Sequence, residues 1–459
     1  MTAFPKNLFA GERFSVLGLG RNGLPVARAL VAMGANVTAW DDSSGARDAA
    51  AAAGIPLADP GMGALTVDAM VLSPGIPHIL PKPHPAAARA RAAQIPILSD
   101  AELLFRAVRR AGSRARFAGI TGTNGKSTTT ALLAHILAGA TIPAAAGGNL
   151  GTAALALPLL PDHGVYVLEM SSYMLERLTT LRFDVAAMLN LSADHLDRHA
   201  DMDGYAAAKR AVFDRQRAGD VSVIGIDDSL TREMAAWLAT RPASVVTISG
   251  SQPAAFWAEG SILRDHLGPI LDLLDAPTLP GTHNAQNAAA ATALATALGV
   301  TRADIAQRTK TYPGLPHRQQ RVAETDGIVF INDSKATNAD AAARALGCYE
   351  RLVWIAGGIA KEGGIVPLSP FFERIAHAVL IGRDAPAFAA TLAAHGVPHA
   401  IAGTLDAAVP AAFAAARAIG ARVVLLSPAC ASFDQFSGFD ARGDRFAALA
   451  TALAARGAT

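Results

Sequence analysis

The chain has 459 residues, enough for roughly three domains of about 150 residues each. Hydrophobic residues make up 51% of it and charged residues only 17%, which excludes a disordered, highly charged chain. The formal net charge is +2, and we identify no run of basic residues that would supply a local electrostatic signature of nucleic-acid binding. Cys348 and Cys430 are the two cysteines, too few for a disulfide framework or a cysteine-based metal site.

No apolar run approaches the roughly 20 residues needed to cross a bilayer, because Arg, Asp, Pro or Gly interrupts each one. The N-terminal segment also lacks a continuous apolar stretch of signal-peptide length. We therefore expect a soluble cytoplasmic enzyme of several domains.

Short apolar strands alternate with Ala-rich helical stretches along the whole chain, a pattern typical of doubly wound α/β sheets. In chain order, we predict strands at 14–17, 37–40, 69–72, 117–121, 165–169, 186–190, 221–224, 328–332, 352–356, 378–381 and 423–426. An Arg-rich stretch at 106–116 and the Pro- and Gly-containing segment 312–318 interrupt this alternation. They predict domains at 1–110, 111–314 and 315–459.

The first motif is Gly18-Leu-Gly20-Arg-Asn-Gly23, which lies between the first predicted strand and a predicted helix. Its glycines would let backbone N–H groups approach a pyrophosphate at the helix N-terminus, and Asp41 or Asp42 ends the next strand where a ribose-binding acid would lie. A nicotinamide or flavin site, a tight turn with no ligand, and a site for another diphosphate all remain open. Ser73-Pro-Gly75 adds small polar groups at the same sheet edge, which favours a ligand.

The second motif, Gly119-Ile-Thr-Gly-Thr-Asn-Gly-Lys-Ser-Thr-Thr129, joins a predicted strand to a predicted helix. In such a loop the N–H groups surround phosphates, Lys126 neutralises the outer phosphate oxygens and Ser127 can ligate Mg²⁺. Ile120 occupies a position where the strict phosphate-loop pattern has glycine. The segment therefore predicts a variant phosphate-binding loop.

Two acidic or histidine-containing segments follow at later strand ends. Glu169 could present an acid to Mg²⁺ beside the loop, or form a buried salt bridge. His195 and His199 are four residues apart, but the glutamate of a zinc-protease pattern is missing. For His195 we retain two interpretations, a role near Mg²⁺ or substrate and a hydrogen-bonded structural role.

Together these motifs resemble the ATP-dependent amide ligases that add amino acids to the peptidoglycan precursor. The motifs that carry the resemblance are Gly122-Thr-Asn-Gly-Lys-Ser-Thr128, Gly147-Gly-Asn149-Leu-Gly151, Glu169-Met-Ser-Ser172, Asp194-His195, Tyr205-Ala-Ala-Ala-Lys209, Gly281-Thr-His-Asn284-Ala-Gln-Asn287 and His317-Arg318. They extend over nearly the whole chain. Within the family, the stretches 332–338 and 427–436 are most similar to the branch that adds D-glutamate.

The resemblance implies an α/β fold of three domains: N-terminal Rossmann-like, central P-loop ATPase-like with a parallel sheet, and C-terminal Rossmann-like. It assigns the first glycine-rich turn to the UDP of the substrate, UDP-linked N-acetylmuramoyl-L-alanine, instead of a nicotinamide. The residues it places near that substrate are Gly20, Arg21, Asn22, Asp42, Ser43, Ser73, Gly75 and Asn149.

For ATP the resemblance implies a site made by the loop and by later residues. Its members are Thr123, Asn124, Gly125, Lys126, Ser127, Thr128, Thr129, Asn284, Asn287, Arg318 and Asp333. Two Mg²⁺ ions are implied, one held by Ser127 and Glu169, the other by His195 and a carbamylated Lys209. A carbamate supplies anionic oxygens where an ammonium would repel the cation. Taken alone, Lys209 in its Ala-rich helix would be a solvated surface lysine.

The resemblance also implies a D-glutamate pocket in the third domain. Its members are Lys335, Thr337, Lys361, Ser432 and Phe439, and cationic and hydroxyl groups of this kind suit a dicarboxylate. The family usually has an acidic residue after the Gly357-Gly358 pair, where this chain has Ile359.

The implied reaction transfers the γ-phosphoryl group of ATP to the L-alanine carboxylate, and the amine of D-glutamate then attacks the acyl phosphate. Lys126, His195, Lys209 and Arg318 are the predicted catalytic residues, and we expect a monomer. Three alternatives are a sister or folate-polyglutamylating ligase, a nicotinamide-dependent oxidoreductase, and a P-loop switch or motor.

Overall fold

The computed structural model describes residues 2–63, 65–149 and 151–457. It contains three large sheets in chain order, with four, nine and six strands, and a small sheet of two strands. The chain divides into two compact units: 1–276 with 282–312, and 277–281 with 313–459. Within the described ranges, no helix combines the length and apolarity needed to span a membrane.

The first sheet is wholly parallel, with strand order β2-β1-β3-β4. Its strands are β1 (Arg13–Leu17), β2 (Asn36–Trp40), β3 (Ala69–Leu72) and β4 (Ile97–Leu98), and its helices are α1 (Gly23–Ala32), α2 (Ser44–Ala52), α3 (Pro85–Ala92) and α4 (Asp100–Arg110). Three of the four strands match predicted strands, and β4 has no predicted counterpart. The order reverses at β1, so the turns after β1 and β3 diverge and leave a crevice at the carboxyl edge.

The second sheet has the order β13-β12-β11-β10-β9-β8-β5-β7-β6. Its strands are β5 (Arg116–Thr121), β6 (Ala144–Gly148), β7 (Val165–Glu169), β8 (Val185–Met188), β9 (Val221–Gly225), β10 (Ser244–Ser249), β11 (Phe256–Glu259), β12 (Ile262–Asp265) and β13 (Gly268–Asp272). Its helices are α5 (Lys126–Gly139), α6 (Ser172–Leu175), α7 (Leu196–His199), α8 (Met202–Arg210), α9 (Ser229–Leu238), α10 (Thr282–Ala297) and α11 (Arg302–Lys310), with 3₁₀ turns at Ala154–Ala156 and Leu273–Asp275.

This sheet is parallel from β6 to β11, as expected, and then continues through β12 and β13, which are antiparallel. Its parallel strands are rich in buried apolar residues, because helices cover both faces. One cluster of buried apolar side chains extends from Phe9 to Leu238 and thus joins the first two sheets. That shared core explains why both belong to one compact unit.

The third sheet has the order β14-β15-β20-β16-β18-β19 and is parallel except for β14. Its strands are β14 (Gln320–Thr325), β15 (Ile328–Asn332), β16 (Leu352–Gly357), β18 (Ile375–Ile381), β19 (His399–Gly403) and β20 (Val423–Leu426); the two-stranded sheet is β17 (Ile359–Ala360) with β21 (Cys430–Ala431). The helices are α12 (Ala339–Leu346), α13 (Ala385–Ala394), α14 (Leu405–Ile419) and α15 (Phe439–Gly457), with a 3₁₀ segment at Val366–Arg374.

Side chains of β16 alternate between the two faces of this sheet. Trp354 and Ala356 belong to one buried apolar cluster, while Val353 and Ile355 belong to the other. Both faces are therefore covered, and polar residues collect at the carboxyl ends of the strands, where open α/β sheets bind ligands.

Candidate active site

A cavity of about 410 Å³ lies at the carboxyl edge of the first sheet, between the turns that follow β1 and β3. Six of the eight residues that the resemblance assigned to the UDP substrate line it: Gly20, Arg21, Asn22, Asp42, Ser73 and Asn149. The other two do not. Ser43 precedes α2, with its N–H donating to Asp41 Oδ1 at 2.8 Å, and the Gly75 carbonyl accepts a bond from Arg198 at 3.1 Å.

The turn after β1 requires glycine for steric reasons. A Cβ atom on Gly23 would lie 1.6 Å from the Gly18 carbonyl oxygen, and one on Gly18 would lie 2.7 Å from Ser73 Cβ. Gly18 also has φ +88°, in the left-handed region. The Ser73 hydroxyl donates to the Gly18 carbonyl at 2.8 Å, so the two turns on either side of the cavity are tied together.

His84 and Asp41 line the same cavity, and neither is among the eight residues that the resemblance assigned to the substrate. The His84 Nδ1 atom accepts the Ala86 N–H at 3.2 Å as the cap of α3, and its Nε2 lies 3.4 Å from Asp42 Oδ2. Because Nδ1 is an acceptor, Nε2 is the protonated nitrogen that faces Asp42. The signal in the sequence is a histidine directly before Pro85, a cap position followed by a helix-starting proline.

The loop between β5 and α5 is held by hydrogen bonds from neighbouring strand ends. The Thr123 N–H donates to the Asn190 carbonyl at 2.9 Å, and the Asn124 N–H donates to Asn190 Oδ1 at 2.9 Å. Gly125 has φ +87°, and a Cβ atom there would lie 2.1 Å from Asn287 Oδ1. Position 125 therefore requires glycine, because the side chain of Asn287 in α10 lies against it. The residues next to Gly125 in the sequence do not indicate this requirement.

Lys126 begins α5, and its ammonium donates to the carbonyls of Gly122 and Thr123 at 2.9 and 2.7 Å. Ser127 and Thr129 are buried, while Thr128 is half-buried. Asn287 Nδ2 donates to Asn284 Oδ1 at 3.0 Å within the first turns of α10. The structure thus brings together the loop residues and the two predicted asparagines of α10.

Lys209 is buried, with 2% of its surface exposed, and is not a solvated surface residue. Its ammonium donates to the Gly122 carbonyl at 2.8 Å and lies 3.5 Å from Thr121 Oγ1. Burial and the positive charge of Lys126 lower the pKa of Lys209 well below its ordinary value, against the opposing effects of Asp194 and Glu169. Lys209 therefore lies behind the phosphate loop as a weakly basic amine.

Glu169 ends β7 next to the loop, paired in register with Ile120 of β5. Its Oε1 atom accepts a hydrogen bond from Asn149 Nδ2 at 2.8 Å, whereas its buried Oε2 has no hydrogen-bond partner among the described residues. An unsatisfied buried carboxylate oxygen is costly, and a hard cation is a partner that it suits. Asn149 thus contacts Glu169 and is also one of the residues that line the cavity of the first sheet.

His195 and His199 have different surroundings. The His195 side chain is 47% exposed, with its Nε2 atom 3.4 Å from Asp194 Oδ2, and burial of the rest of the ring lowers its pKa. His199 is buried between Ser172 Oγ at 2.9 Å and Glu176 Oε1 at 3.0 Å, and burial lowers its pKa to about 4. His199 is therefore a structural residue, while His195 is available to a ligand.

A metal fits this region only if groups other than His, Cys, Asp and Glu take part. No cluster of three such residues capable of holding a metal occurs in the described ranges. Glu169 has a buried oxygen with no hydrogen-bond partner among the described residues, and Ser127 is the second residue of α5, a donor set of oxygen atoms that suits Mg²⁺. A second cation beside His195 would need an anionic oxygen that an unmodified Lys209 does not supply.

In the second compact unit, Asp333 follows β15 and is buried. Ser427 Oγ donates to its Oδ2 at 2.7 Å and the Gln319 N–H donates to its Oδ1 at 3.2 Å. Burial raises the pKa of Asp333 to about 7, although these hydrogen bonds and the charge of Arg318 act in the opposite direction. Arg318 and Asp333 are therefore close enough to interact.

The predicted D-glutamate residues lie at the carboxyl edge of the third sheet. The Lys335 ammonium is 3.8 Å from the centroid of the Phe439 ring, and the Thr337 N–H donates to the Lys335 carbonyl at 2.9 Å. Ser432 is buried, and its hydroxyl has no hydrogen-bond partner within the part of the chain that the structure describes. Lys361 is exposed directly after β17.

The chain is similar to known proteins both in sequence and in fold. The Mur ligase middle domain matches residues 120–295. The chain is 52% identical to the UDP-N-acetylmuramoylalanine–D-glutamate ligase of Paramagnetospirillum magneticum over 98% of this chain and 99% of the relative. It is 48% identical to the protein of that name from Rhodospirillum rubrum, over 98% and 96%. A solved UDP-N-acetylmuramate–alanine ligase from Thermotoga maritima has a similar fold, with a TM-score of 0.61, 18% identity, and coverage of 96% and 100%.

Proposed function

The chain belongs to the UDP-N-acetylmuramoylalanine–D-glutamate ligase family, and from that premise we propose that it joins D-glutamate to UDP-N-acetylmuramoyl-L-alanine with conversion of ATP to ADP and phosphate. The observation that carries the proposal is the sequence identity of 52% and 48% to two relatives with that name, over nearly the full length of both chains. The match therefore includes the first and third sheets, which are the regions that distinguish this ligase from sister ligases sharing the ATP loop.

The cavity of the first sheet is the proposed site for the UDP part of the substrate. Its volume of about 410 Å³ and its position at a topological switch point suit a nucleotide. Arg21 and Asn22 at the start of α1 would meet the pyrophosphate, and Asp42 would accept hydrogen bonds from the nucleoside. Asn149 would hold the substrate on the side nearest Glu169.

ATP is the proposed ligand of the loop 123–129, with its phosphates surrounded by backbone N–H groups and neutralised by Lys126. Asn284, Asn287, Arg318 and Asp333 complete the proposed site. Placing positive charge and oriented dipoles around the transferring phosphoryl group is how such sites provide most of their catalysis.

Two Mg²⁺ sites are proposed, one at Ser127 and Glu169 and one at His195 and carbamylated Lys209. When bound, Mg²⁺ neutralises charge on the phosphate oxygens. The carbamate forms when the neutral Lys209 amine attacks CO₂: a C–N bond forms, a proton leaves, and an anionic carbamate remains. The buried position and lowered pKa of Lys209 support this proposal, because the neutral amine is the reactive form.

D-Glutamate is the proposed ligand of Lys335, Thr337, Lys361, Ser432 and Phe439. The unsatisfied buried hydroxyl of Ser432 supports a contact to a carboxylate oxygen. Lys335 would contribute positive charge from its position over the Phe439 ring.

The proposed chemistry overcomes the poor electrophilicity of a carboxylate. The L-alanine carboxylate attacks the γ-phosphorus of ATP, releasing ADP and forming an acyl phosphate. The neutral amine of D-glutamate attacks the acyl carbon, and the tetrahedral intermediate expels phosphate while the amine loses a proton. Lys126 and Arg318 stabilise the charge on the phosphoryl group, and exclusion of water protects the acyl phosphate from hydrolysis.

Phosphate release from ATP, measured with a panel of UDP-muramoyl substrates and amino acids, tests the proposal. We expect release only when UDP-N-acetylmuramoyl-L-alanine and D-glutamate are both present. Equal release with another amino acid would favour a sister ligase, and release with neither substrate would favour a P-loop switch. Titration with UDP and with NADH separates the nucleotide-sugar site from a dinucleotide site; tight NADH binding without a response to UDP would overturn the assignment of the first cavity.

We also propose that the functional domains are 1–110, 111–314 and 315–459, and that the enzyme acts as a monomer in the cytoplasm. The three sheets fall at 13–98, 116–272 and 320–426, which supports these boundaries. Analytical ultracentrifugation at micromolar protein concentration tests the proposed monomeric state.

A further inference from the structure

The turn after β3 has few backbone hydrogen bonds of its own: the Ile76 N–H donates to the Ser73 carbonyl at 3.1 Å. It reads Ser73-Pro-Gly-Ile-Pro77, and its two prolines have no N–H group to donate. Its other carbonyl hydrogen bonds therefore come from donors outside the turn. Ser73, Pro74 and Ile76 line the cavity of the first sheet, so the shape of this turn is also the shape of the cavity wall.

Arg177, which follows α6 in the central region, supplies most of those donors. Its Nη1 atom donates to the carbonyls of Leu72 and Ser73 at 3.0 and 3.2 Å, and its Nη2 donates to the Ile76 carbonyl at 2.6 Å. The residue is 2% exposed. Burial lowers its pKa to about 10, so the guanidinium is charged at neutral pH and these hydrogen bonds are charge-assisted.

The loop that carries Arg177 is anchored independently of the turn. The buried carboxylate of Glu102 accepts hydrogen bonds from the N–H groups of Thr179, Thr180 and Leu181 at 3.0, 3.0 and 2.9 Å. Arg106 adds a bond from Nη2 to Thr179 Oγ1 at 2.8 Å. Arg177 is therefore not needed to fix its own loop, and its guanidinium acts on the turn.

We propose that Arg177 is a positioning residue for the UDP-linked substrate: from a loop anchored to Glu102, it holds the Ser73–Pro77 turn in the shape that the substrate-binding cavity requires. This inference rests on the proposed function of the first cavity. The helix that precedes Arg177 begins three residues after Glu169, so Arg177 also fixes the cavity wall relative to the reaction centre. Nothing in the local sequence indicates this role, because its partners are about 100 residues away.

The test compares Arg177→Met, Arg177→Lys and the control Arg106→Met. Arg177→Met keeps the length and the apolar stem but removes every donor, and we expect the KM for the UDP-linked substrate and the Kd for UDP to rise about tenfold or more. The KM for ATP should stay within about twofold, since the guanidinium of Arg177 donates to Leu72, Ser73 and Ile76 and forms no hydrogen bond to the phosphate loop in the described ranges. Arg177→Lys retains the charge and one donor group, so it should give an intermediate KM and Kd.

Arg106→Met removes an arginine from the same loop anchor without touching the turn, and it should leave the Kd for UDP unchanged. An equal rise in Kd for the Arg106 and Arg177 variants would show general loosening of the loop and overturn the proposal. Unchanged UDP binding in folded Arg177→Lys, or in folded Arg177→Met, would overturn it too. If Arg177→Met fails to fold, Arg177→Lys decides alone. Failure of the wild-type protein to bind UDP would instead refute the proposed function, which keeps the two results distinguishable.

Discussion

Gly125→Ala is the substitution whose effect can be worked out most fully from the geometry of the phosphate loop. Gly125 has φ +87°, and an alanine in the left-handed region costs about 1–2 kcal/mol. Its Cβ would also lie 2.1 Å from Asn287 Oδ1, so the asparagine or the loop must move, an overpacking cost of about 1–3 kcal/mol. We expect a total loss of about 2–5 kcal/mol in the free energy of unfolding of the first compact unit.

The matched control is Gly219→Ala. Gly219 has φ +93°, and a Cβ atom there would have no other atom within 4 Å, so its substitution carries the backbone cost of about 1–2 kcal/mol without a collision. Urea denaturation followed by tryptophan fluorescence is a suitable assay, because three of the four tryptophans, Trp40, Trp237 and Trp257, belong to this unit. ATP binding should be lost in Gly125→Ala and kept in Gly219→Ala.

A double-mutant cycle with Asn287→Ala isolates the collision. Removing the Asn287 side chain should recover about 1–3 kcal/mol of the cost of Gly125→Ala, measured as a coupling energy. A coupling energy within about 0.5 kcal/mol of zero would refute the reasoning, because additivity means that the two positions do not collide.

Three further predictions concern single charged residues. Lys126→Ala should abolish ligase activity with an unchanged melting temperature, and near-normal turnover at saturating ATP would contradict the role of its ammonium at the phosphates. Lys209→Arg and Lys209→Ala should both lose most activity at saturating ATP, Mg²⁺ and bicarbonate, since neither can form a carbamate; a wild-type rate in Lys209→Arg would end that hypothesis. Asp333 keeps its proton to a higher pH in the folded chain, about 7, than its ordinary value of 3.8, so the stability of the second unit should fall as pH rises between these values. Asp333→Asn should flatten that fall in calorimetric melts from pH 4 to pH 8, and an unchanged slope would show that Asp333 does not titrate there.

Most of the strands that sequence reasoning found are buried on both faces. Val165–Glu169 and Leu352–Gly357 are continuous apolar runs with a polar or glycine end, so hydrophobicity alone identifies them. The strand Ala144–Gly148 was missed because it contains only alanine and glycine, which have low strand propensity. Its place in the sheet comes from pairing with β7, a long-range contact that local sequence does not encode.

The residues of the candidate site likewise fall into two groups, those that local sequence identifies and those that depend on contacts distant in sequence. The glycine-rich turn, the phosphate loop and Glu169 were identifiable because strand–turn–helix motifs have a local pattern. Lys209 would be interpreted as a surface lysine from its Ala-rich helix, and its burial depends on the Gly122 carbonyl, 87 residues earlier in the chain. The roles of His84 and Arg177 are equally hard to identify from local sequence. His84 faces the Asp42 carboxylate and Arg177 donates to the turn after β3, and both partners are distant in sequence.

The path of the chain between the two compact units has a consequence for synthesis on the ribosome. Residues 277–281 belong to the second unit, yet they are made before residues 282–312, which return to the first. The helix α10, which carries the asparagines beside the phosphate loop, is therefore synthesised after five residues of the second unit. The rest of that second unit has not been synthesised at this point. Because the second unit resumes at residue 313, we expect a nascent chain or a fragment ending at 312 to expose Pro277–Gly281 to solvent and to chaperones.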